Sequence, residues 1–199
     1  IPYSNRSKIT GISIQNYETS NEWVLPSEFL SNCEYLSFVN IYSLRNLVTG
    51  VGKDFLSGCS RIKSIDLRPF NKVNKIEENF MRGCSKLEFI EIPYIEEESD
   101  DFPLTEIGDN FLLDCSSIWI ADFSLFKDIN SVGVNFLRGC SKLQELNIST
   151  FNNLTKISDS FLADCWSLSE IEGFDKLDKV TDIGNYFLAA CAELETVDM

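Results

Sequence analysis

Apolar residues return along the chain in three short phrases about 25 residues apart. The first phrase pairs Phe-Leu (once Phe-Met) with a Cys three residues further on, at Phe29/Cys33, Phe55/Cys59, Phe80/Cys84, Phe111/Cys115, Phe136/Cys140, Phe161/Cys165 and Phe187/Cys191. Phe and Cys stand four apart, the spacing that puts two side chains on one face of a helical turn, so the phrase predicts a short helical turn. Three residues after each Cys an apolar residue opens a second phrase, L-x-x-I-x-L. Its copies include Leu36-Val39-Ile41, Ile62-Ile65-Leu67, Leu87-Ile90-Ile92, Ile118-Ala121-Phe123 and Leu143-Leu146-Ile148, with a degenerate Leu168-Ile171-Gly173 and an early Ile9-Ile12-Ile14. Alternation at its end predicts a short strand with one buried side. The third phrase, Val73-x-x-Ile76, Ile129-x-x-Val132, Leu154-x-x-Ile157 and Val180-x-x-Ile183, predicts a short extended segment leading into the next Phe.

One unit therefore reads strand, turn with an apolar plug (Leu44, Phe70, Phe126, Phe151, Leu177), extended segment, helical turn and Cys. A unit of this size has too little apolar surface to fold alone, and stacking copies makes one continuous core. The expectation is a single solenoid over residues 1–199, α/β in class, with about seven units, one parallel strand ladder on one face and helical turns opposite. The full phrase L-x-x-I-x-L-x-P-F-x-x-V-x-x-I-x-x-x-F-L-x-G-C-S-x-L resembles the BspA-like class of leucine-rich repeats, found in bacterial and protist surface proteins, from about residue 9 to residue 199. This chain departs from the family's usual unit in having Phe-Leu where Ala-Phe is usual, and in matching the Pro after the strand only at Pro93. The resemblance implies a secreted or cell-surface protein engaged in adhesion or host contact.

Side chains alternate along a strand, so positions three, five and seven of the second phrase face outward if four and six face the core. Position five reads Ser13, Asn40, Asp66, Glu91, Asp122, Asn147, Glu172, Asp198, a column rich in carboxylates and without a cation. Beside it stand Phe38, Tyr42, Phe89, Ile120 and Phe174 from positions three and seven. Stacked carboxylates about 5 Å apart repel unless screened, and exposed aromatics next to them suit a protein partner carrying Lys or Arg. The alternative is a polar face that keeps the solenoid soluble. Residues Phe38, Asn40, Tyr42, Asp66, Phe89, Glu91, Ile120, Asp122, Glu172 and Phe174 are the candidate partner-binding set.

Charge and chemistry narrow the function. With 17 Lys and Arg against 31 Asp and Glu, a net charge of -14, the chain lacks the basic surface that nucleic acid requires. It contains no His, which removes Ser-His-Asp, Cys-His and His-zinc chemistry, and the reading is non-enzymatic, without cofactor or metal. The seven Cys occupy equivalent places beside a buried Phe and read as small apolar core residues with free thiols. Between Cys84 and Cys115 an insertion carries Glu96, Glu97, Glu98, Asp100 and Asp101; it is either a cation or basic-peptide contact or a solvated loop. Gly50-Val51-Gly52-Lys53 lacks the remaining P-loop residues and reads as a turn. Three N-x-S/T triplets, at Asn5, Asn147 and Asn153, permit an extracellular, glycosylated life. No apolar run is long enough to span a membrane, so membrane insertion is not expected. The last strand phrase lacks a polar closing repeat, which predicts a longer array or a covered last coil. A scaffold inside the cell, or a subunit of a large assembly, is the rival to the surface reading.

Overall fold

The computed structural model describes residues 3–15, 21–91 and 102–197. Each coil contributes two short strands. The first ladder consists of β1 (Gly11–Ser13), β3 (Phe38–Asn40), β5 (Ser64–Asp66), β7 (Phe89–Glu91), β9 (Ile120–Asp122), β11 (Glu145–Asn147) and β13 (Glu170–Glu172). The second consists of β2 (Trp23–Leu25), β4 (Val48–Val51), β6 (Lys75–Ile76), β8 (Glu106–Ile107), β10 (Ser131–Val132), β12 (Lys156–Ile157) and β14 (Asp182–Ile183). Every hydrogen-bonded pair is parallel, and equivalent residues align: Ile120 lies beside Glu145 and Glu145 beside Glu170, while Lys75 lies beside Glu106. The central apolar residue of the first-ladder strands points inward, with Ile65, Ala121 and Leu146 buried. Ile76, Ile107, Val132 and Ile157 do the same for the second ladder.

The expected helical side is corrected by this second ladder. Among the described residues the one α-helix is Tyr3–Arg6, and the chain is a parallel β-solenoid rather than α/β. The Phe-Leu-x-x-Cys turn alternates its backbone hand instead of coiling: Asp54, Leu56 and Gly58 have φ of 59°, 54° and 76°. A helical turn would satisfy its N–H groups locally. Alternating hand turns them sideways, toward the neighbouring coils. The Leu56 N–H donates to the Phe29 carbonyl at 3.0 Å, the Asp54 N–H to Glu78 at 3.0 Å and the Gly58 N–H to Arg82 at 2.7 Å, and the pattern recurs down the stack. Left-handed backbone at a residue such as Leu56 costs about 1–2 kcal/mol, which the cross-coil bonds and buried side chains offset. At Gly58 a Cβ would also come within 2.7 Å of Asn32 Oδ1, so glycine suits the position twice over.

The cysteines complete the same turn. Each thiol after the first donates to the carbonyl of the preceding coil's Leu or Met, as Cys59 does to Leu30 at 3.0 Å, Cys84 to Leu56 at 3.2 Å and Cys115 to Met81 at 3.2 Å. A buried carbonyl left unpaired costs about 1–3 kcal/mol, so Cys serves here as a small apolar residue that also supplies a donor. Beside them the Phe rings form a spine, with centroids 5.1 Å apart for Phe55 and Phe80, 5.4 Å for Phe80 and Phe111 and 4.7 Å for Phe136 and Phe161.

Among the described residues seven strands in each ladder bound six turns, and Leu194 to Val197 form no strand, so the expectation of seven complete units is corrected to about six. The N-terminal coil is covered: Arg6 is 8% exposed, donates to the Ser31 carbonyl at 2.9 Å and lies 3.5 Å from Glu28. The acidic segment from Ile95 to Asp101 lies outside the described residues.

Candidate functional site

The outward side of the first ladder carries the candidate residues. In position three Phe38 is 54% exposed and Phe89 37% exposed, with Ile120 half-buried. The Phe38 ring lies over Gly11, its neighbour in register, where an added Cβ would meet ring atom Cε1 at 2.0 Å. Glycine on the preceding strand thus gives an exposed ring a flat seat, which fixes its direction. Tyr42 opens a 3-10 turn, Tyr42–Leu44, and its exposed ring is covered from one side by the Arg68 guanidinium at 4.5 Å.

Arg68 also holds Asp66. Its Nε donates to Oδ1 at 3.0 Å and its Nη2 to Oδ2 at 2.8 Å, a bidentate pair beside the aromatic ring. Phe38, Asn40, Tyr42, Lys63, Asp66 and Arg68 line an open groove of about 450 Å³. A second groove of about 550 Å³ lies on the same side at the far end, lined by Glu170, Glu172, Asp175, Phe174 and Thr196.

Position five has a local structural task as well. The side-chain oxygen of Asn40 accepts the Tyr42 N–H at 3.2 Å, Asp66 accepts the Arg68 N–H at 2.9 Å, Asp122 accepts the Ser124 N–H at 2.9 Å and Asn147 accepts the Ser149 N–H at 3.0 Å. These Asx turns bend the chain out of the strand and into the plug, which explains why Asp and Asn recur in this column. Glu172 instead accepts from Asn147 Nδ2 across the coils at 2.7 Å. Glu91 closes β7 with its backbone; its side chain lies outside the described ones.

One candidate residue is placed differently. Phe174 is 3% exposed and stacks on Phe187 at 5.4 Å, so the expectation that it faces outward is corrected. Its coil has Gly173 where the others have an apolar residue, and Gly173 turns left-handed at φ 87°, which swings Phe174 into the vacant core position. A Cβ at residue 173 would come within 2.1 Å of Ser149 Cα, so no larger residue fits there.

The outward alternation also reaches residues not in the candidate set. Arg68 is position seven of its own coil, while Glu145 and Glu170 are position three of theirs; all three were readable by the same rule. Trp119, 49% exposed, stands at position two, before the strand begins, where alternation gives no direction. Among the described residues, Asp122, Glu145, Glu170 and Glu172 belong to no ion pair.

The thiols are inert by environment. Burial pushes the Cys165 thiol from its ordinary 9.0 up to about 12, with the neighbouring Cys191 adding to the effect, and burial likewise raises Cys59 and Cys140. All seven are free. Among the described residues no group of three or more Cys, Asp or Glu is placed to hold a metal ion, and no helix is long and apolar enough to cross a membrane. What this side of the molecule offers chemically is contact: fixed rings, one paired Arg and Asp, and a stretch of uncompensated carboxylate.

Comparison with known proteins gives the same architecture. The family model for the BspA type leucine rich repeat region matches residues 3–102 and 98–195 in six copies. Among solved structures, the leucine rich repeat protein of T. pallidum superposes with a TM-score of 0.72 at 18% identity, over 94% of this chain and 78% of that one. A leucine-rich repeat protein from Bacteroides ovatus gives 0.59 at 21% identity, over 96% of this chain and 49% of that one. A leucine rich cell surface protein from Faecalibacterium prausnitzii gives 0.56 at 17% identity, over 94% and 47%. The chain thus spans about half the length of the latter two. No curated protein matches the sequence.

Proposed function

The chain belongs to the BspA-type leucine-rich repeat family, and on that premise we propose that it is a non-catalytic protein-binding module working through the outward side of its first ladder, at the cell surface, in adhesion or host contact. Leucine-rich repeats are generally protein-interaction modules, and the matching family is not a catalytic one. The observation that carries the reading is the difference between the two ladders. The first exposes aromatic rings and, from Asp122 to Glu172, carboxylates without counter-ions among the described residues, while the second pairs its charges with one another. A face kept only for solubility has no use for half-exposed Phe38, Phe89 and Trp119. The partner is a protein bearing basic groups, which complement the uncompensated acids. The surface location draws on the F. prausnitzii neighbour, described as a cell surface protein.

The test is capture of partners from the native source with the wild-type chain and with a Phe38→Ser/Phe89→Ser variant shown to be folded. The reading expects a specific partner exposed at the cell surface with the wild type and its loss with the variant. Partners retained equally by both would move the binding site elsewhere.

A scaffold inside the cell is the second reading, favoured by the seven free thiols. Fractionating the native source and locating the chain with an antibody separates the two readings: the rival expects a chain confined to the cell interior.

A further inference from the structure

Taking the first-ladder face as the binding surface, we infer that it is polarised along the solenoid axis and takes a bipartite polypeptide segment, apolar at one end and rich in Lys or Arg at the other, in one orientation only. The apolar end lies over β3 to β9 and the basic end over β9 to β13.

Two independent features divide the face. Toward the N-terminal coils stand Phe38, Tyr42, Phe89 and Trp119, all exposed, and of the carboxylates there Asp66 is neutralised by bidentate Arg68 and Glu88 lies 3.2 Å from Lys63, while the Glu91 side chain lies outside the described ones. Toward the C-terminal coils the strands β11 and β13 carry no ring, and the exposed Trp166 stands off them in the turn before β13. In register on adjacent strands, position three becomes Ile120, Glu145 and Glu170, and position five becomes Asp122, Asn147 and Glu172. Glu145 and Glu170 are direct neighbours, exposed and in no ion pair among the described residues. Equivalent residues on adjacent parallel strands lie about 4.8 Å apart, so unscreened carboxylates there raise each other's energy, and a cationic partner relieves it. Burial of Phe174 sharpens the division, because it removes the one ring that alternation placed at the acidic end.

The dimensions define the occupant. From β3 to β13 there are five strand steps, about 24 Å, which an extended segment of seven or eight residues at about 3.3 Å per residue spans when it runs across the strands. Aromatic anchors hold its apolar residues, with Arg68 and Asp66 closing the first groove, and the basic residues reach the second, where Glu170 and Glu172 stand beside Asp175, itself paired with Lys176. Reversing the segment would set cations beside Arg68 and apolar groups over unpaired carboxylates, a penalty that selects the direction.

A random-peptide display library selected on the folded chain tests this, followed by affinity measurement of one enriched synthetic peptide at low and physiological salt. The expected binders carry apolar residues toward one end and Lys or Arg toward the other, always in the same order. Glu145→Gln/Glu170→Gln/Glu172→Gln should weaken that peptide about tenfold and flatten its salt dependence; Phe38→Ser/Phe89→Ser should weaken it comparably and leave the salt dependence intact. Replacing the peptide's Lys by Ala should abolish the first effect and not the second. If the Phe variant loses its fold, Tyr42→Ser with Trp119→Ser supplies the same arm. Binders that respond to both variants but show no fixed order, or whose Lys residues couple to the rings, overturn the polarity and leave the face as the binding surface. Binders indifferent to both variants, or a library without binders, overturn the face reading together with it.

Discussion

The two ladders are built from the same core and differ in what they turn outward. In the second ladder Lys75 stands 3.4 Å from Glu77 and 3.8 Å from Glu106, and Lys156 stands 3.1 Å from Asp182, so opposite charges meet from coil to coil. In the first, Glu145 meets Glu170 toward the C-terminal coils and rings project toward the N-terminal ones. Exposed pairs of the first kind contribute little, about 0–1 kcal/mol, yet they leave no net field for a partner to read. The lesson lies in location: a net charge of -14 is not spread evenly, and the face without compensation is the one that also carries the rings.

The comparison is broken most severely from inside. Phe136 sits in the spine between Phe111 and Phe161, and Phe136→Ala should cost about 3–5 kcal/mol in chemical denaturation and disorder both faces together. A loss below about 1 kcal/mol would mean that the spine is not the common support. Alkaline pH attacks the same core. The buried thiols hold their protons more tightly when folded than unfolded, so the folded chain binds more protons above the ordinary value of 9.0, and stability should fall from there toward about 12, where Cys165 titrates. The slope approaches about 1.4 kcal/mol per pH unit for each thiol, read as a falling denaturation midpoint; a flat profile from pH 9 to 11 would contradict the thiol placement.

Smaller changes sharpen the contrast instead. Asp122→Ala removes the acceptor of the Ser124 N–H and should cost about 1 kcal/mol, whereas Asp122→Asn keeps the turn and should stay within about 0.5 kcal/mol while still weakening a basic partner. That pair of variants separates the turn-forming role of position five from its charge. Least of all should Lys156→Ala matter, shifting stability by no more than about 0.5 kcal/mol and partner binding not at all; a large effect on binding would move the functional face to the second ladder.

Much of this was legible in the repeat. Spacing identified the buried Phe, Leu, Ile and Cys positions and the parallel first ladder, because columns in sequence become columns in a solenoid. The turn was misread for a definable reason: Phe and Cys four apart suit a helix, but the Asn, Asp and Gly recurring just before Phe or Cys, as at Asn79, Asn110, Asp54 and Gly58, are the residues that tolerate left-handed backbone. Gly50 and Val51 likewise end a strand, Val48–Val51, where the glycines predicted a turn over Gly50 to Lys53; the turn begins only at Lys53. On the face itself, Phe38, Tyr42 and Phe89 were found by alternation, and Phe174 was misplaced because alternation carries no information past a left-handed glycine. The pairing of Arg68 with Asp66 depends on side-chain reach within one coil, which no column of residue types displays.

The most direct test of the central claim is an equal change of charge on the two faces. Glu145→Lys/Glu170→Lys on the first ladder and Glu106→Lys/Asp182→Lys on the second alter the net charge identically, and binding of the partner captured from the native source can be measured for both in one buffer. The account predicts loss of binding by tenfold or more with the first variant and little change with the second. Equal weakening by both, or greater weakening by the second, would show that bulk charge or the other face governs binding and would contradict it.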